Sequence, residues 1–181
     1  MKNLISDRFE YIRINESHAS HEYLDWLSDF EVNKFLEIRH QSVDLNSLRS
    51  YLKSISISEN EYLFGIFYSG KHIGNIKLGP IDKRYKRGDI GLLIGDKKWW
   101  NKGVASESIK TISDWGFRDM KLNKIEAGCY ESNEFSKKSF VNVGYQIEGL
   151  IRDHFTLNGS RESSYKLGMT VSDWNEINNL I

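Results

Sequence analysis

The chain has one cysteine and one proline in 181 residues. A lone thiol, Cys129, cannot close an internal disulfide or build a thiolate metal site, and it suits a reducing compartment. Proline is confined to Pro80, and there is no repeat or low-complexity tract, so nothing marks an interdomain linker and residues 1–181 read as a single domain. Charge of one sign is missing as well: 25 basic against 25 acidic residues leave no field that would draw nucleic acid or an anionic membrane surface. No apolar run reaches the length of a membrane span, and the opening MKNLISDRFEYIRI lacks the apolar centre of a signal peptide. His18, His21 and His40 have no metal-ligand spacing. The expectation is a cytoplasmic protein with no metal and no nucleic-acid or membrane partner.

What is present is a close succession of periodic segments. FEYIRIN (9–15) alternates as a strand does, and residues 16–36 carry Tyr23, Leu24, Leu27, Phe30 and Leu36 at roughly helical spacing. A second helix is predicted over 44–55, with Asp44 as its cap and Leu45, Leu48, Leu52 and Ile55 as its stripe. EYLFGIFYSGKHIGNIKLGPI reads as an antiparallel hairpin turning at Ser69-Gly70. IGLLIG (90–95) is apolar on both faces and so central in a sheet. Ala105, Ile109, Ile112 and Gly116 then recur at helical spacing, and KIEAGCY (124–130) alternates again. A strand that follows a crossover helix is most simply parallel to the strand before it. A helix over 133–142 and strands near 144–151 and 164–171 complete the chain. The fold class expected is α+β: a mixed, mostly antiparallel twisted sheet with a central parallel pair, flanked by helices.

The stretch DIGLLIGDKKWWNKGVASESI (89–109) departs from a plain strand, turn and helix. A helix begins with about four unpaired peptide N–H groups and about half a positive charge, which suits an anion. Gly103 lets a ligand approach the backbone, Ala105 keeps the first turn thin, and Lys97, Lys98 and Lys102 add charge at the same end. A surface loop with solvated lysines would have the same spacing, so spacing alone leaves both readings open. Neither the nucleotide P-loop order nor the three-glycine dinucleotide fingerprint is present.

IGLLIGDKKWWNKGVASESIKTISDWGF, followed by LNKIEAGCYESNEFSKKSFVNVGYQIEGLIRDHFTLNGSRESSYKLGM, resembles the acetyl-CoA site and carboxy-terminal half of GCN5-related N-acetyltransferases (GNAT). Within them it is similar to the branch of ribosomal-protein N-terminal acetyltransferases. The resemblance implies acetyl-CoA as co-substrate, no metal, direct transfer to a primary amine in a ternary complex, and a monomer or homodimer. It implies that backbone near Leu93 and Ile94 pairs with the pantetheine arm. It places the diphosphate on Asn101, Lys102, Gly103, Val104, Ala105 and Ser106, with Asn133 and Ser136 as further cofactor contacts. Trp100 stands where the family often has Gln or Arg, Asn101 where glycine is common, and Phe140 where many relatives have a tyrosine that protonates the leaving thiolate.

Acetyl transfer to an amine needs a proton acceptor, an oxyanion donor and a proton donor for sulfur. Asp89 is the first candidate base, acting through water, and Glu126 the second; both residue types also serve as solvated or paired surface carboxylates. Without a tyrosine at position 140, Ser136, a water or a tyrosine from elsewhere must supply that proton, or the thiolate leaves unassisted. Of the histidines, His72 and His154 can titrate near neutrality. Cys129 alternates with Ile125 and Ala127, so it reads as packing rather than as a nucleophile. Trp99 and Trp100 read equally as cofactor wall and as core plug. By analogy Arg39, His40 and His154 line the acceptor's opening, for a peptide or small-molecule amine. The alternatives are a nucleotide-linked amino sugar as acceptor, or a CoA sensor without catalysis, which Phe140 favours.

Overall fold

The computed structural model describes residues 3–179. Among the described residues eight strands form one sheet: β1 (Leu4–Ile5), β2 (Glu10–Arg13), β3 (Tyr62–Tyr68), β4 (Lys71–Leu78), β5 (Arg87–Ile94), β6 (Lys124–Tyr130), β7 (Gln146–Leu157) and β8 (Ser160–Thr170). Their order is β1-β2-β3-β4-β5-β6-β8-β7. β5 and β6 run parallel, from Arg87 opposite Lys124 to Ile90 opposite Ala127. The pairs β1·β2, β2·β3, β6·β8 and β7·β8 are antiparallel. The mixed sheet with its central parallel step is therefore as the periodicity predicts.

The chain forms two compact units, one of the residues up to Lys77 with 92–104, the other of 78–91 with the residues from Ala105 on. In the first, α3 (Leu45–Ser56) begins as expected: Asp44 accepts from the Ser47 N–H at 2.7 Å, and Leu48, Leu52 and Ile55 are buried. Its sequence LNSLRSYLKSIS is rich in serine, a middling helix former, so burial holds it. Each large apolar side chain contributes roughly 1.5–3 kcal/mol when buried, against propensity differences of at most about 0.7. These anchors join Ile14, Tyr23, Trp26, Val32 and Leu63 in the core of this unit. The segment 16–36 differs from the single helix its spacing suggests. It contains a 3-10 turn at Glu16–His18, α1 (His21–Ser28) and α2 (Phe30–Asn33), with a further turn at Glu37–His40. Polar caps divide it: Ser20 accepts from the Tyr23 N–H, and Asp29 ends α1 and accepts from the Glu31 N–H. Phe30, counted in the stripe, is exposed as a result.

In the second unit the crossover helix α4 (Val104–Arg118, whose first residue belongs to the other unit) buries Ile109, Ile112 and Phe117. α5 (Glu134–Val141) follows β6, and α6 (Val171–Ile177) closes the chain. α6 was not predicted from periodicity. It is seven residues held by a Thr170–Asp173 capping box and by Trp174, whose indole N–H donates to Asp114 at 2.7 Å. The strands read near 144–151 and 164–171 are longer than expected because Asn158-Gly159, at φ 51° and 78°, makes a two-residue turn that extends both. Between Ile151, opposite Ser164, and Phe155, opposite Glu162, the register shifts and Arg152–His154 bulge out of the ladder.

One buried polar pair tests this packing. The Ser113 and Tyr145 hydroxyls lie 2.7 Å apart, and both residues are buried. Tyr145→Phe orphans the serine hydroxyl and is expected to lower stability by roughly 1–3 kcal/mol. The double variant with Ser113→Ala is expected to recover most of that loss in urea unfolding. Equal destabilisation by the single and the double variant would refute the pairing.

Candidate active site

The loop that joins β5 to α4 is built inside the first unit. After Ile94 the backbone turns sharply, and the N–H groups of Gly95 and Asp96 both donate to the Ile73 carbonyl, at 3.0 and 3.1 Å. A side chain at Gly95 would run into the indole of Trp26, so glycine is required there. Asp96 caps the 3-10 turn Lys97–Trp99 by accepting from the Lys98 N–H at 3.0 Å. Lys71, 2.8 Å away, holds the Asp96 carboxyl below the usual carboxylate range. Asn101 and Gly103 then take the left-handed backbone, at φ 58° and 75°. Asparagine tolerates that conformation better than most residues, which explains Asn101 where relatives commonly have glycine. α4 starts at the next residue, and Gly103 has no side chain with which to cap it.

The charge at this end differs in source from the expectation. Lys97 is tied to Asp29 at 2.7 Å and to Glu31, and these partners raise its own pKa. Lys102 sits over the Trp99 ring at 5.6 Å. A cation that motif reading could not find, Arg8, donates through Nη1 to the Lys102 carbonyl at 2.9 Å; it lies 94 residues away, so no local spacing reveals it. Both tryptophans are half-buried and pack against neighbours in this unit. Trp100 packs on the core of this unit and donates from Nε1 to the Ile94 carbonyl at 2.8 Å, while Trp99 meets Phe9 at 5.6 Å and Tyr68 at 4.5 Å.

In the second unit, Asp89 and Glu126 are directly opposite each other in the β5·β6 pair. Glu126 lies 3.6 Å from both Arg87 and Lys124, and Lys124 also bonds Glu148 at 2.8 Å. Gly91–Ile94 lie beyond the paired stretch. Asn133 caps α5, its Oδ1 accepting from the Ser136 N–H at 3.2 Å, and the Ser106 hydroxyl donates to the Ser139 carbonyl at 3.3 Å. Burial pushes the Cys129 thiol up to about 11, with Lys137 and the Ser136 hydroxyl only partly opposing it. The thiol stays protonated near neutrality, as a packing residue should. Phe140 is buried and edge-on to Tyr145 at 5.1 Å.

Of the expected acceptor residues, Arg39 braces its own turn, donating to the Leu36 carbonyl at 3.0 Å with its side chain only 10% exposed, and His40 is exposed. His154 belongs to the other unit, where Nδ1 lies 2.7 Å from the Ser164 hydroxyl. His72 is stacked on Phe67 at 4.8 Å, meets the edges of Tyr23 and Trp26, and places Nε2 3.0 Å from Asn75 Oδ1. Burial lowers its pKa, which sets it apart from an exposed histidine. No group of residues that could hold a metal ion occurs among the described residues, and no helix there is long and apolar enough to cross a membrane.

The model of the acetyltransferase (GNAT) domain matches residues 8–146. The chain belongs to the GNAT family of N-acetyltransferases. This acetyltransferase is 29% identical over 179 residues to an uncharacterized N-acetyltransferase, p20, of Bacillus licheniformis, covering 96% of this chain and 99% of that one. Its fold matches that of RimL, a ribosomal alpha-N-protein acetyltransferase in complex with coenzyme A, with a TM-score of 0.84, 16% identity, and 95% and 99% of the two chains covered. It also matches MccE, a microcin C7 self-immunity acetyltransferase in complex with acetyl-CoA and AMP, at 0.79, with 18% identity and 91% and 93% covered.

The partly buried His72 imidazole is expected to make the fold sensitive to acid. The unfolded chain's His72, titrating near about 6.5, binds a proton that the folded one resists, so stability is full above that pH and falls as the pH drops below it. His72→Gln is expected to flatten the decline of the urea midpoint between about pH 7 and pH 5. An unchanged slope would show that His72 does not cause it.

Proposed function

We propose that this acetyltransferase takes acetyl-CoA as co-substrate and passes the acetyl group directly to a primary amine, a protein amino terminus or a small amine, in one ternary complex. The observation that carries the reading is the left-handed backbone at Asn101 and Gly103 immediately before a 15-residue helix: it presents peptide N–H groups and a helix dipole to one anion. The diphosphate lies on Asn101, Lys102, Gly103, Val104, Ala105 and Ser106. The pantetheine arm pairs with backbone at Leu93 and Ile94, and Asn133 and Ser136 are further contacts. The donor for the developing oxyanion is a peptide N–H near Leu93 or Ile94.

The amine nitrogen attacks the thioester carbon, the C–S bond breaks, and the amine's proton passes through water to Asp89, with Glu126 as the alternative base. Glu126 lies 3.6 Å from both Arg87 and Lys124, so a base role for it would have to act from within that cluster. The thiolate takes a proton from Ser136 or water, since Phe140 has none to give. The protonated, buried Cys129 speaks against an acetyl-enzyme route. Arg39, His40 and His154 belong to the acceptor side, and the chain works as one catalytic domain. The complexes of RimL with coenzyme A and of MccE with acetyl-CoA support the choice of co-substrate.

Thiol release from acetyl-CoA should appear only when an amine is added, in a screen of amino-terminal peptides, polyamines and amino sugars; CoA release independent of acceptor would refute direct transfer. Gly103→Val, which forces a side chain onto a φ of 75°, is expected to weaken CoA binding by at least about tenfold, and unchanged affinity would sink the loop assignment. Asp89→Asn should lower kcat/KM by about 100-fold and remove the rising limb of its pH profile, with a smaller effect of Glu126→Gln. The reverse ranking would transfer the base role to Glu126.

A further inference from the structure

Arg8 lies outside every motif of the acetyl-CoA site, yet its guanidinium stands against the glycine loop. Its guanidinium carbon stands 4.8 Å from the Phe9 ring centroid, Nη1 donates to the Lys102 carbonyl at 2.9 Å, and Nη2 is 3.4 Å from where a Gly103 Cβ would stand. Phe9 anchors this position: it is 1% exposed, and its backbone carbonyl accepts from the Ser6 N–H at 2.9 Å, closing the turn that carries Arg8. Trp99, edge-on to Phe9, brings the loop to the same place.

A loop that offers N–H groups to an anion must turn its carbonyl oxygens elsewhere, because an oxygen facing phosphate repels it. The Lys102 carbonyl lies between the two left-handed residues Asn101 and Gly103, where rotation of either adjoining peptide would spoil the concavity. A charge-assisted bond from a planar, always-protonated guanidinium holds it in place and brings a positive charge next to Gly103.

We propose that Arg8 is a positioning residue for the diphosphate site of coenzyme A, contributed by the amino-terminal segment to the loop at Asn101–Val104 and acting through the Lys102 carbonyl. The proposal rests on the acetyl-CoA reading above and adds a guanidinium from outside the loop to the lysines within it. The shared chemistry is a phosphoryl oxygen, and coenzyme A carries such oxygens both on its diphosphate and on its 3'-phosphate.

Binding of CoA, 3'-dephospho-CoA and pantetheine to wild type, Arg8→Gln and Arg8→Lys, measured by calorimetry at two salt concentrations, separates the possibilities. Wild type should bind CoA at least about tenfold more tightly than pantetheine; if it does not, the loop reading itself fails before Arg8 is tested. Given that preference, Arg8→Gln should weaken CoA and 3'-dephospho-CoA alike by about tenfold, leave pantetheine unchanged, and make CoA binding less salt-dependent. Arg8→Lys keeps the charge without the fork and should fall between, with the wild-type salt dependence; it carries the test if Arg8→Gln proves poorly folded by thermal unfolding. A loss confined to CoA would move Arg8 to the 3'-phosphate and overturn the diphosphate assignment. An equal loss on pantetheine, or no loss at all, would overturn any phosphate role.

Discussion

A helix that begins on glycine leaves its first peptide hydrogens without a side-chain cap, and the chemistry of this protein depends on holding those hydrogens in one arrangement without filling them. Val104 follows Gly103 directly, and two of the three residues before Val104 are in the left-handed backbone. Such a segment is costly to order and has little packing of its own. It is kept in shape from outside: Lys71 holds Asp96, Trp26 meets Gly95, Phe9 and Tyr68 enclose Trp99, and Arg8 fixes the Lys102 carbonyl. The conformation is thus a property of the first unit's core, not of the loop.

The same view accounts for the two tryptophans. An indole at position 100 gives up the polar side chain that relatives often place there, but it caps the Ile94 carbonyl and joins the core cluster beneath the loop. Trp99 does the equivalent on the side of β2 and β3. Lys97 pairs with Asp29 and Glu31, which secures the α1–α2 corner to the loop and engages one of the loop's cations.

In the second unit the chemistry-bearing residue types are mostly engaged in structure. Asn133 caps α5, Glu126 sits between two cations, and Cys129 is a buried thiol. A capping asparagine can still present its remaining lone pair and amide hydrogens, because one accepted bond does not exhaust the group. Phe140, packed edge-on against Tyr145, is part of the buried core of this unit.

Most of the strand segments, the hairpin at Ser69-Gly70, the Asp44 cap, the parallel step and the glycine loop were legible in the sequence, because they are written in residues a few positions apart: period two, period three to four, or a turn that tolerates positive φ. The break of 16–36 into short helices, the bulge at Arg152–His154 and the last helix were not, since polar caps, register shifts and a single tryptophan anchor leave only faint periodic traces. Nor could local pattern show that Lys97 is neutralised by carboxylates 66 and 68 residues earlier, that His72 is enclosed by rings, or that Arg8 reaches Lys102. Sequence by itself determined which backbone conformations were available and where a helix would start on bare peptide hydrogens. Only the tertiary structure decided which charges face that start, because ion pairing and burial depend on distances in space that chain separation does not record.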